Sequence, residues 1–311
     1  MDLADDGRVV VLDGGLATEL EARGFDLSDR LWSARLLLTD PGAIEDVHLD
    51  YFRAGAMVAT TASYQATVPG FAAAGLDRAS ALAAIRESVA LAARARERYV
   101  AETGRPAANL LVAGSVGPYG AMLADGSEYR GDYDPGAVVL RDVHAPRIEA
   151  LLDAGVDLLA FETIPTVREA EVLVGLLGEF EARAWLSYSC RDASSTSAGE
   201  PVVDAIALGG DPRVVAVGIN CTAPRLLPDL LATAHIATDG PLIAYPNGGD
   251  RWDPVTRQWV TDGGDGTFDP AVVASWTDLG ATWLGGCCGT RPADIAGLAE
   301  RLASATASPL S

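Results

Sequence analysis

Short apolar runs alternate with longer stretches of helical periodicity from one end of the chain to the other. The runs are continuously apolar, which is typical of strands in a parallel sheet whose outer face is covered by helices. Eight runs predict eight strands, at residues 8–12, 56–60, 109–113, 157–161, 183–188, 214–219, 242–245 and 281–285. The chain is therefore expected to repeat strand and helix throughout.

The stretches between these runs predict helices. An aspartate followed by proline is typical of a helix start, and this pair occurs at residues 40–41, 134–135 and 269–270. The helix predicted for residues 134–154 contains Pro146, which is expected to kink or split it. Residues 246–267 are expected to form a long loop.

Eight strand–helix units in succession predict a (β/α)8 TIM barrel, an α/β fold that makes residues 1–311 a single domain. An open, doubly wound sheet is the alternative, but no Gly-x-Gly-x-x-Gly follows the first strand. In a barrel the carboxyl ends of all strands face one rim, where active sites are built. Polar and sulfur-containing residues collect at these predicted strand ends: Asp13, Thr61, Ser115, Glu162, Cys190, Asn220, Cys221, Tyr245, Cys287 and Cys288.

The charge of the chain narrows the range of partners. The formal net charge is −20, and all 23 basic residues are arginine. Nucleic acids and anionic membranes both require a basic face, so neither is expected as a partner, and no protein partner is implied. Schiff-base chemistry through lysine is excluded.

The chain also lacks the usual marks of an exported or membrane protein. No apolar run reaches the length of a membrane span, and residues 1–8 are acidic without an apolar signal core. Four cysteines in 311 residues do not resemble a disulfide framework. A cytoplasmic location is therefore predicted.

Three of the four cysteines are candidates for one metal site. Cys221 ends the sixth predicted strand, and Cys287 and Cys288 end the eighth, so their sulfurs can converge above the barrel. Three thiolates with one open position is the arrangement of a catalytic zinc site. The flanking glycines are expected to let the backbone turn so that both neighbouring sulfurs point to one ion.

Other interpretations of the cysteines and histidines remain open. A lone cysteine at a strand end is usually a small buried apolar residue, which is the interpretation given to Cys190. The Cys287–Cys288 pair could instead be a redox pair, although a reducing location favours metal. The three histidines, His48, His144 and His235, fall on predicted helices and are expected to be solvated or capping rather than metal ligands.

Two carboxylates lie at the ends of apolar strands. Asp13 and Glu162 are costly to bury there without a partner. The common outcome is a structural bond to loop amides, and the functional alternative is binding of a substrate α-amino group.

Seven motifs resemble those of the zinc- and homocysteine-dependent S-methyltransferases over nearly the whole chain. They begin at Asp13, Thr61, Gly114, Phe161, Gly218, Tyr245 and Gly285, and read DGGLATEL, TASYQA, GSVGP, FET, GINC, YPN and GGCCG. The two cysteine motifs together are highly specific. The segments SYQA and YPN are more similar to the branch that uses S-methylmethionine or S-adenosylmethionine than to the betaine branch.

The resemblance implies a role for each matching residue. Cys221, Cys287 and Cys288 would be the zinc ligands. Asp13 and Glu162 would hold the homocysteine amino group, with Thr61 and the backbone at Gly14 nearby, and Asn220 would support the site. The zinc-bound homocysteine thiolate would attack the methyl group of a sulfonium donor to give methionine.

Three alternatives are left open at this stage. The first keeps the fold and the zinc but uses betaine or a methylfolate as donor. The second is a metal-dependent hydrolase, for which three sulfur ligands would be unusual. The third is a barrel that only buffers zinc.

Overall fold

Eight parallel strands form the centre of the molecule and are joined by helices on the outside. A small cluster of side chains fills the space inside the strands, and the larger part of the core lies between strands and helices. The computed structural model describes residues 9–27, 31–249, 251–253, 258–260 and 268–307. The strands are β1 (Val10–Val11), β2 (Val58–Thr60), β3 (Leu111–Val116), β4 (Leu158–Ile164), β5 (Ala184–Tyr188), β6 (Val214–Asn220), β7 (Leu242–Tyr245), β8 (Arg251–Asp253), β9 (Gln258–Val260) and β10 (Ala281–Leu284).

Twelve α-helices are found in the described part of the chain. They are α1 (Leu16–Ala22), α2 (Leu36–Thr39), α3 (Pro41–Arg53), α4 (Val68–Ala73), α5 (Arg78–Thr103), α6 (Tyr119–Leu123), α7 (Ala137–Asp153), α8 (Val167–Phe180), α9 (Val202–Ala207), α10 (Leu227–Ala237), α11 (Pro270–Asp278) and α12 (Pro292–Ala307). Short 3-10 segments cover Trp32–Arg35, Ala107–Asn109, Ser127–Tyr129, Leu208–Gly210 and Pro224–Leu226.

The sheet closes into a barrel, as predicted. The parallel strands follow the order β1-β10-β7-β6-β5-β4-β3-β2. A parallel bridge between Leu12 and Val58 then joins the two outermost strands, and the Met57 amide donates to the Val11 carbonyl at 2.7 Å. Because the strands are all parallel and this bridge joins the two ends of the sheet, all eight carboxyl ends meet at one rim.

The barrel interior is filled by large side chains. Trp185, Tyr245 and Trp283 pack there against smaller apolar residues of the other strands. The Trp185 ring lies 6.1 Å from the Trp283 ring and 6.2 Å from the Tyr245 ring, centre to centre. Tyr245 receives a hydrogen bond from the Trp185 indole at 2.9 Å, so this layer is fixed in orientation as well as packed.

Two of the three predicted helix starts are confirmed, whereas the third start and the break predicted at Pro146 are wrong. Asp40 and Asp269 cap α3 and α11 as expected, but α7 begins at Ala137 and Asp134 instead pairs with Arg168 of α8. Pro146 does not split α7, which runs unbroken from Ala137 to Asp153. Buried residues lie on both sides of the proline along this helix, and their packing outweighs the backbone hydrogen bond that is lost.

The predicted loop at residues 246–267 contains a small antiparallel ribbon. Its strands β8 and β9 pair Trp252 with Trp259. The remaining residues of that loop, apart from 246–249, lie outside the described part of the chain. Among the described helices, none combines the length and the apolar character that crossing a membrane would require.

The histidines lie on helices as predicted, but two of them are not solvated. His48 of α3 and His144 of α7 are fully buried. His144 contacts the buried Glu169 carboxylate at 2.7 Å through Nε2. None of the three belongs to a cluster that could hold a metal in the described residues.

Gly218 provides a test of how closely β6 and β7 pack. A Cβ atom at this position would overlap the Ile243 carbonyl oxygen of β7. We expect Gly218→Ala to lower the free energy of unfolding by about 3 kcal/mol, measured by urea denaturation. The matched control is Gly175→Ala in α8, where no atom lies within 4 Å of the new Cβ and a gain of up to about 1 kcal/mol is expected. Equal stability of the two variants would contradict this packing.

Candidate metal centre

The three predicted cysteines come together at the rim of the barrel. Cys221 directly follows β6, and Cys287 and Cys288 lie just beyond β10. The three Sγ atoms all lie within 4.8 Å of one another. Cys190 is not part of this group, and its backbone N–H donates to the Thr222 hydroxyl at 3.0 Å.

The end of β7 and the loop that follows it hold both cysteine segments in place. The Cys221 amide donates to the Tyr245 carbonyl at 3.1 Å, and the Cys287 amide donates to the Pro246 carbonyl at 2.8 Å. The Gly248 amide in turn donates to the Cys288 carbonyl at 2.7 Å. The sulfurs therefore converge because the end of β7 bonds to the backbone of Cys221 and the loop directly after it bonds to the backbone of Cys287 and Cys288.

The glycines around the cysteine pair have two different functions. Gly289 has a φ of +81°, so it supplies the turn that was predicted. Gly286 has no such conformation, and it is required because a Cβ there would overlap the Thr290 side chain. Thr290 closes the turn by donating its hydroxyl proton to the Cys287 carbonyl at 2.6 Å.

The sulfurs interact strongly enough to change their acidity. Hydrogen bonds from Cys287 and Cys288 lower the pKa of Cys221 well below its usual value. The pKa of Cys288 is raised well above its usual value because its thiol donates to Cys221 and its own ionisation would place two negative charges together. One thiolate is thus stabilised by two thiols, and further ionisation requires a cation.

The donor set fits a zinc ion. A tetrahedral zinc with bonds of about 2.3 Å separates its sulfur ligands by roughly 3.8 Å, which is compatible with three sulfurs within 4.8 Å. Thiolates are soft ligands, and magnesium and calcium prefer oxygen. A divalent cation here would also offset the repulsion among the three thiolates.

The two predicted carboxylates lie in the same cavity as the sulfurs. Asp13 accepts hydrogen bonds from the Thr60 amide at 2.6 Å and the Thr60 hydroxyl at 2.8 Å. Burial is the main cause that raises the pKa of Asp13 to about 8, and the nearby Glu162 adds to it. Asp13 is therefore poorly compensated by the protein alone and favours a cationic partner.

Glu162 is held by two hydroxyls. Ser115 donates to one carboxylate oxygen, and the Tyr245 hydroxyl donates to the other at 3.3 Å. Burial is the main cause that raises the pKa of Glu162 to about 8, and repulsion from Cys287, when that sulfur is ionised, adds to the rise. Glu162, like Asp13, is therefore poorly compensated by the protein alone and favours a cationic partner.

Asn220 joins the carboxylate segment to the sulfur segment. Its side-chain oxygen accepts from the Thr163 amide at 2.7 Å, and its side-chain nitrogen donates to the Thr163 hydroxyl at 2.8 Å. The same nitrogen lies 3.9 Å from the Cys287 sulfur. Thr163 has a φ of +61°, and this left-handed backbone costs a β-branched residue about 1–2 kcal/mol.

Thr61 and Gly14 also line the cavity, and the contacts that the structure gives them are with other residues of the protein. The Thr61 hydroxyl accepts from the Ser115 amide at 3.0 Å and contacts the Ser63 hydroxyl at 2.7 Å, so it ties the end of β2 to β3. A Cβ at Gly14 would lie 2.8 Å from the Thr290 hydroxyl, so only glycine fits there.

The cavity is partly open to solvent and, with the solvent space at its mouth included, contains about 720 Å³. Its lining includes residues that were not predicted as site residues: Leu16, Thr18, Ser33, Tyr64, Tyr129 and Thr163. The Tyr129 hydroxyl lies 3.8 Å from the Cys221 sulfur. Tyr129 belongs to a 3-10 segment after β3, and no sequence pattern marks it.

Known methyltransferases are similar to this chain over almost its full length. A family model described as homocysteine S-methyltransferase matches residues 10–302. The homocysteine S-methyltransferase of Escherichia coli (strain K12) is 52% identical over 301 residues, which are 96% of this chain and 97% of that protein. A selenocysteine Se-methyltransferase of Brassica oleracea var. italica is 42% identical over 318 residues, covering 97% of this chain and 91% of that protein.

A solved structure is similar in fold as well as in sequence. The metallated form of the homocysteine methyltransferase MmuM from Escherichia coli aligns with a TM-score of 0.87 and 50% identity. The alignment covers 96% of this chain and 98% of that one. The whole barrel, including both cysteine segments, therefore falls within the aligned length of known methyltransferases.

Replacing a cluster cysteine should remove the metal. We expect wild-type protein to carry one zinc per chain after purification under reducing conditions, and Cys287→Ser to carry less than about a tenth of that, because an oxygen replaces a thiolate ligand. Elemental analysis measures both. Cys190→Ser is the matched control and should keep its zinc, since Cys190 lies outside the cluster. Retention of zinc by Cys287→Ser would contradict the site.

The raised pKa of Asp13 should appear in the stability of the metal-free protein. Between about pH 4 and about pH 8 the folded chain keeps a proton that the unfolded chain has released, since the pKa rises from 3.8 to about 8. The free energy of unfolding therefore falls as pH rises through this window, by at most about 1.4 kcal/mol per unit. Asp13→Asn removes this proton and should show a flatter pH dependence in urea denaturation. Parallel pH profiles for the two proteins would contradict the assignment.

Proposed function

Because the chain belongs to the homocysteine S-methyltransferase family, we propose that it methylates homocysteine to methionine with a sulfonium donor and a zinc ion held by Cys221, Cys287 and Cys288. The donor is S-methylmethionine or S-adenosylmethionine. Membership of this family makes the protein a methyltransferase. We propose in addition that homocysteine is the acceptor, a sulfonium compound the donor and zinc the metal. Residues 1–311 would form one homocysteine-binding barrel.

One observation carries the proposal. Three sulfurs within 4.8 Å of one another share a single cavity with two buried carboxylates. The sulfurs favour a soft cation that binds a thiol, and the carboxylates favour an ammonium group. An amino acid with a thiol side chain satisfies both sets of groups at once.

Asp13 and Glu162 would hold the amino group of the acceptor. Each is buried and has a raised pKa, so a bound ammonium group replaces the water that burial removes. Thr60 fixes Asp13 through two hydrogen bonds, and Ser115 and Tyr245 fix Glu162. These contacts orient both carboxylates before the substrate arrives, which reduces the entropic cost of reaction.

The chemistry requires a thiolate at neutral pH. A free thiol has a pKa near 8.5, and zinc bound to the three cysteines would supply the charge that keeps the acceptor sulfur deprotonated. A bond forms between this sulfur and the donor methyl carbon, and the bond from that carbon to the donor sulfur breaks. The electron pair stays on the donor sulfur, which leaves as a neutral thioether, so no general acid is needed.

The remaining wall of the cavity suits a cationic donor. Tyr64 and Tyr129 line it together with the acceptor residues, and aromatic faces attract cations. The net charge of −20 acts in the same direction at longer range. These features support a sulfonium donor over a methylfolate, which is anionic.

A donor comparison tests the proposal. We expect zinc-loaded protein to form methionine from homocysteine with S-methylmethionine or S-adenosylmethionine at a kcat/KM at least about 100-fold above that for betaine or a methylfolate, a difference of about 3 kcal/mol in the transition state. Methionine formation is measured by chromatography. Cys287→Ser should form no product with any donor. Faster reaction with betaine or a methylfolate would contradict the donor, and no reaction with any of the four would contradict the function.

A further inference from the structure

The side chain of Asn220, at the end of β6, bonds through both its oxygen and its nitrogen to Thr163, near the end of β4. Its oxygen accepts a hydrogen bond from the Thr163 amide at 2.7 Å. Its nitrogen donates to the Thr163 hydroxyl at 2.8 Å and lies 3.9 Å from the Cys287 sulfur. Asn220 is fully buried and Thr163 is 2% exposed. Burial shields these bonds from solvent, which strengthens them and holds the link in one geometry.

The link joins two segments whose backbone adopts a left-handed conformation. Thr163 follows Glu162 directly and has a φ of +61°, and Cys221 follows Asn220 directly and has a φ of +44°. Both are left-handed conformations that non-glycine residues rarely adopt. Such conformations persist only where the surroundings hold them, and they cluster at functional sites.

The regular sheet is interrupted at the same place. The pairing of β4 with β5 shifts register between Phe161 and Ile164, so Glu162 and Thr163 leave the ladder of strand hydrogen bonds. The Thr163 amide is donated to Asn220 instead of to a neighbouring strand. The direction of Glu162 is therefore set by Asn220 across the barrel mouth as well as by its own strand.

The link sets how far the amino group of a bound acceptor lies from its sulfur. Glu162 stands on one side of this link and the cysteine sulfurs on the other. An amino acid thiol that reaches both must have a fixed number of bonds between its nitrogen and its sulfur. Homocysteine has one methylene more than cysteine between these two atoms.

We propose that Thr163, clasped by the Asn220 side chain, is a positioning residue that sets the span between Glu162 and the cysteine cluster and so selects homocysteine over cysteine. This inference rests on the proposed function. A binding pocket distinguishes one methylene by about 10- to 200-fold, and a span of fixed length between Glu162 and the sulfurs would give discrimination of that order. A displacement of about 1 Å is sufficient to lose it.

Two substitutions at Thr163 separate positioning from folding. Thr163→Val keeps the branched shape but removes the hydroxyl that accepts from Asn220. Thr163→Gly removes the hydroxyl and also relieves the left-handed backbone, so its unfolding midpoint should not fall below that of Thr163→Val. Thr163→Ser keeps the hydroxyl and serves as the conservative rescue. Thr233→Val on α10 is the matched control, since its hydroxyl bonds only locally, to the Asp229 carbonyl.

The readout is the ratio of the Kd for cysteine to the Kd for homocysteine, measured by calorimetry on zinc-loaded protein. Zinc content should stay at one per chain in all variants, because the cysteines are intact. We expect the ratio to fall at least about 10-fold in Thr163→Val and Thr163→Gly, to recover in Thr163→Ser and to be unchanged in Thr233→Val.

Two results would overturn the inference, and only the second would also contradict the proposed function. An unchanged ratio in Thr163→Val and Thr163→Gly, with a selective wild-type protein, would overturn the role of Thr163 alone. A wild-type protein that carries zinc but binds neither amino acid would overturn the proposed function and this inference with it.

Discussion

Three sulfur atoms at the rim of the barrel cannot all be negatively charged unless a cation lies among them. With Cys221 ionised, the two other thiols are held protonated by its charge, and their pKa values lie well above the usual value. The remaining features of the site follow from this constraint. Two buried carboxyl groups lie in the same cavity, and their raised pKa values mean that each ionises at neutral pH only beside a cation. The site as built therefore calls for a metal ion on one side and an ammonium group on the other.

The barrel makes this unfavourable arrangement possible. Closure of the sheet at Leu12 and Val58 brings eight strand ends to one rim, and the cost of clustering like charges is met by the packing of the rest of the fold. Hydrogen bonds among the strand ends and the loops beside them then fix the positions of the site residues. The end of β7 and the loop after it hold both cysteine segments, while Asn220 connects the sulfur side of the site to the carboxylate side.

Much of this site could be predicted from sequence, because strand ends in a barrel converge whatever the loops do. Cys221, Cys287, Cys288, Asp13 and Glu162 were predicted in that way and do share one cavity. Their roles as ligands of zinc and homocysteine stay predictions. The position of each strand end was predicted to within a few residues, since apolar runs do not show where hydrogen bonding stops.

Other features depend on contacts that no local pattern encodes. Tyr129 reaches Cys221 from a loop far away in sequence, and Thr163 looks like an ordinary strand residue until its backbone conformation is known. The continuity of α7 through Pro146 depends on packing along the helix, which a helix-breaking residue alone does not reveal. Gly286 was expected to provide a turn, whereas the structure shows that it provides space beside Thr290.

The measurement that tests the central claim most directly is the visible absorption spectrum of cobalt-substituted protein with and without homocysteine. Cobalt reports on its ligands where zinc does not. The account predicts one tetrahedral cobalt per chain with thiolate bands that shift when homocysteine is added and do not shift with homoserine, which carries a hydroxyl in place of the thiol. A protein that binds no cobalt, or a spectrum that homocysteine leaves unchanged, would contradict the claim that the three cysteines form a metal site open to a thiol substrate.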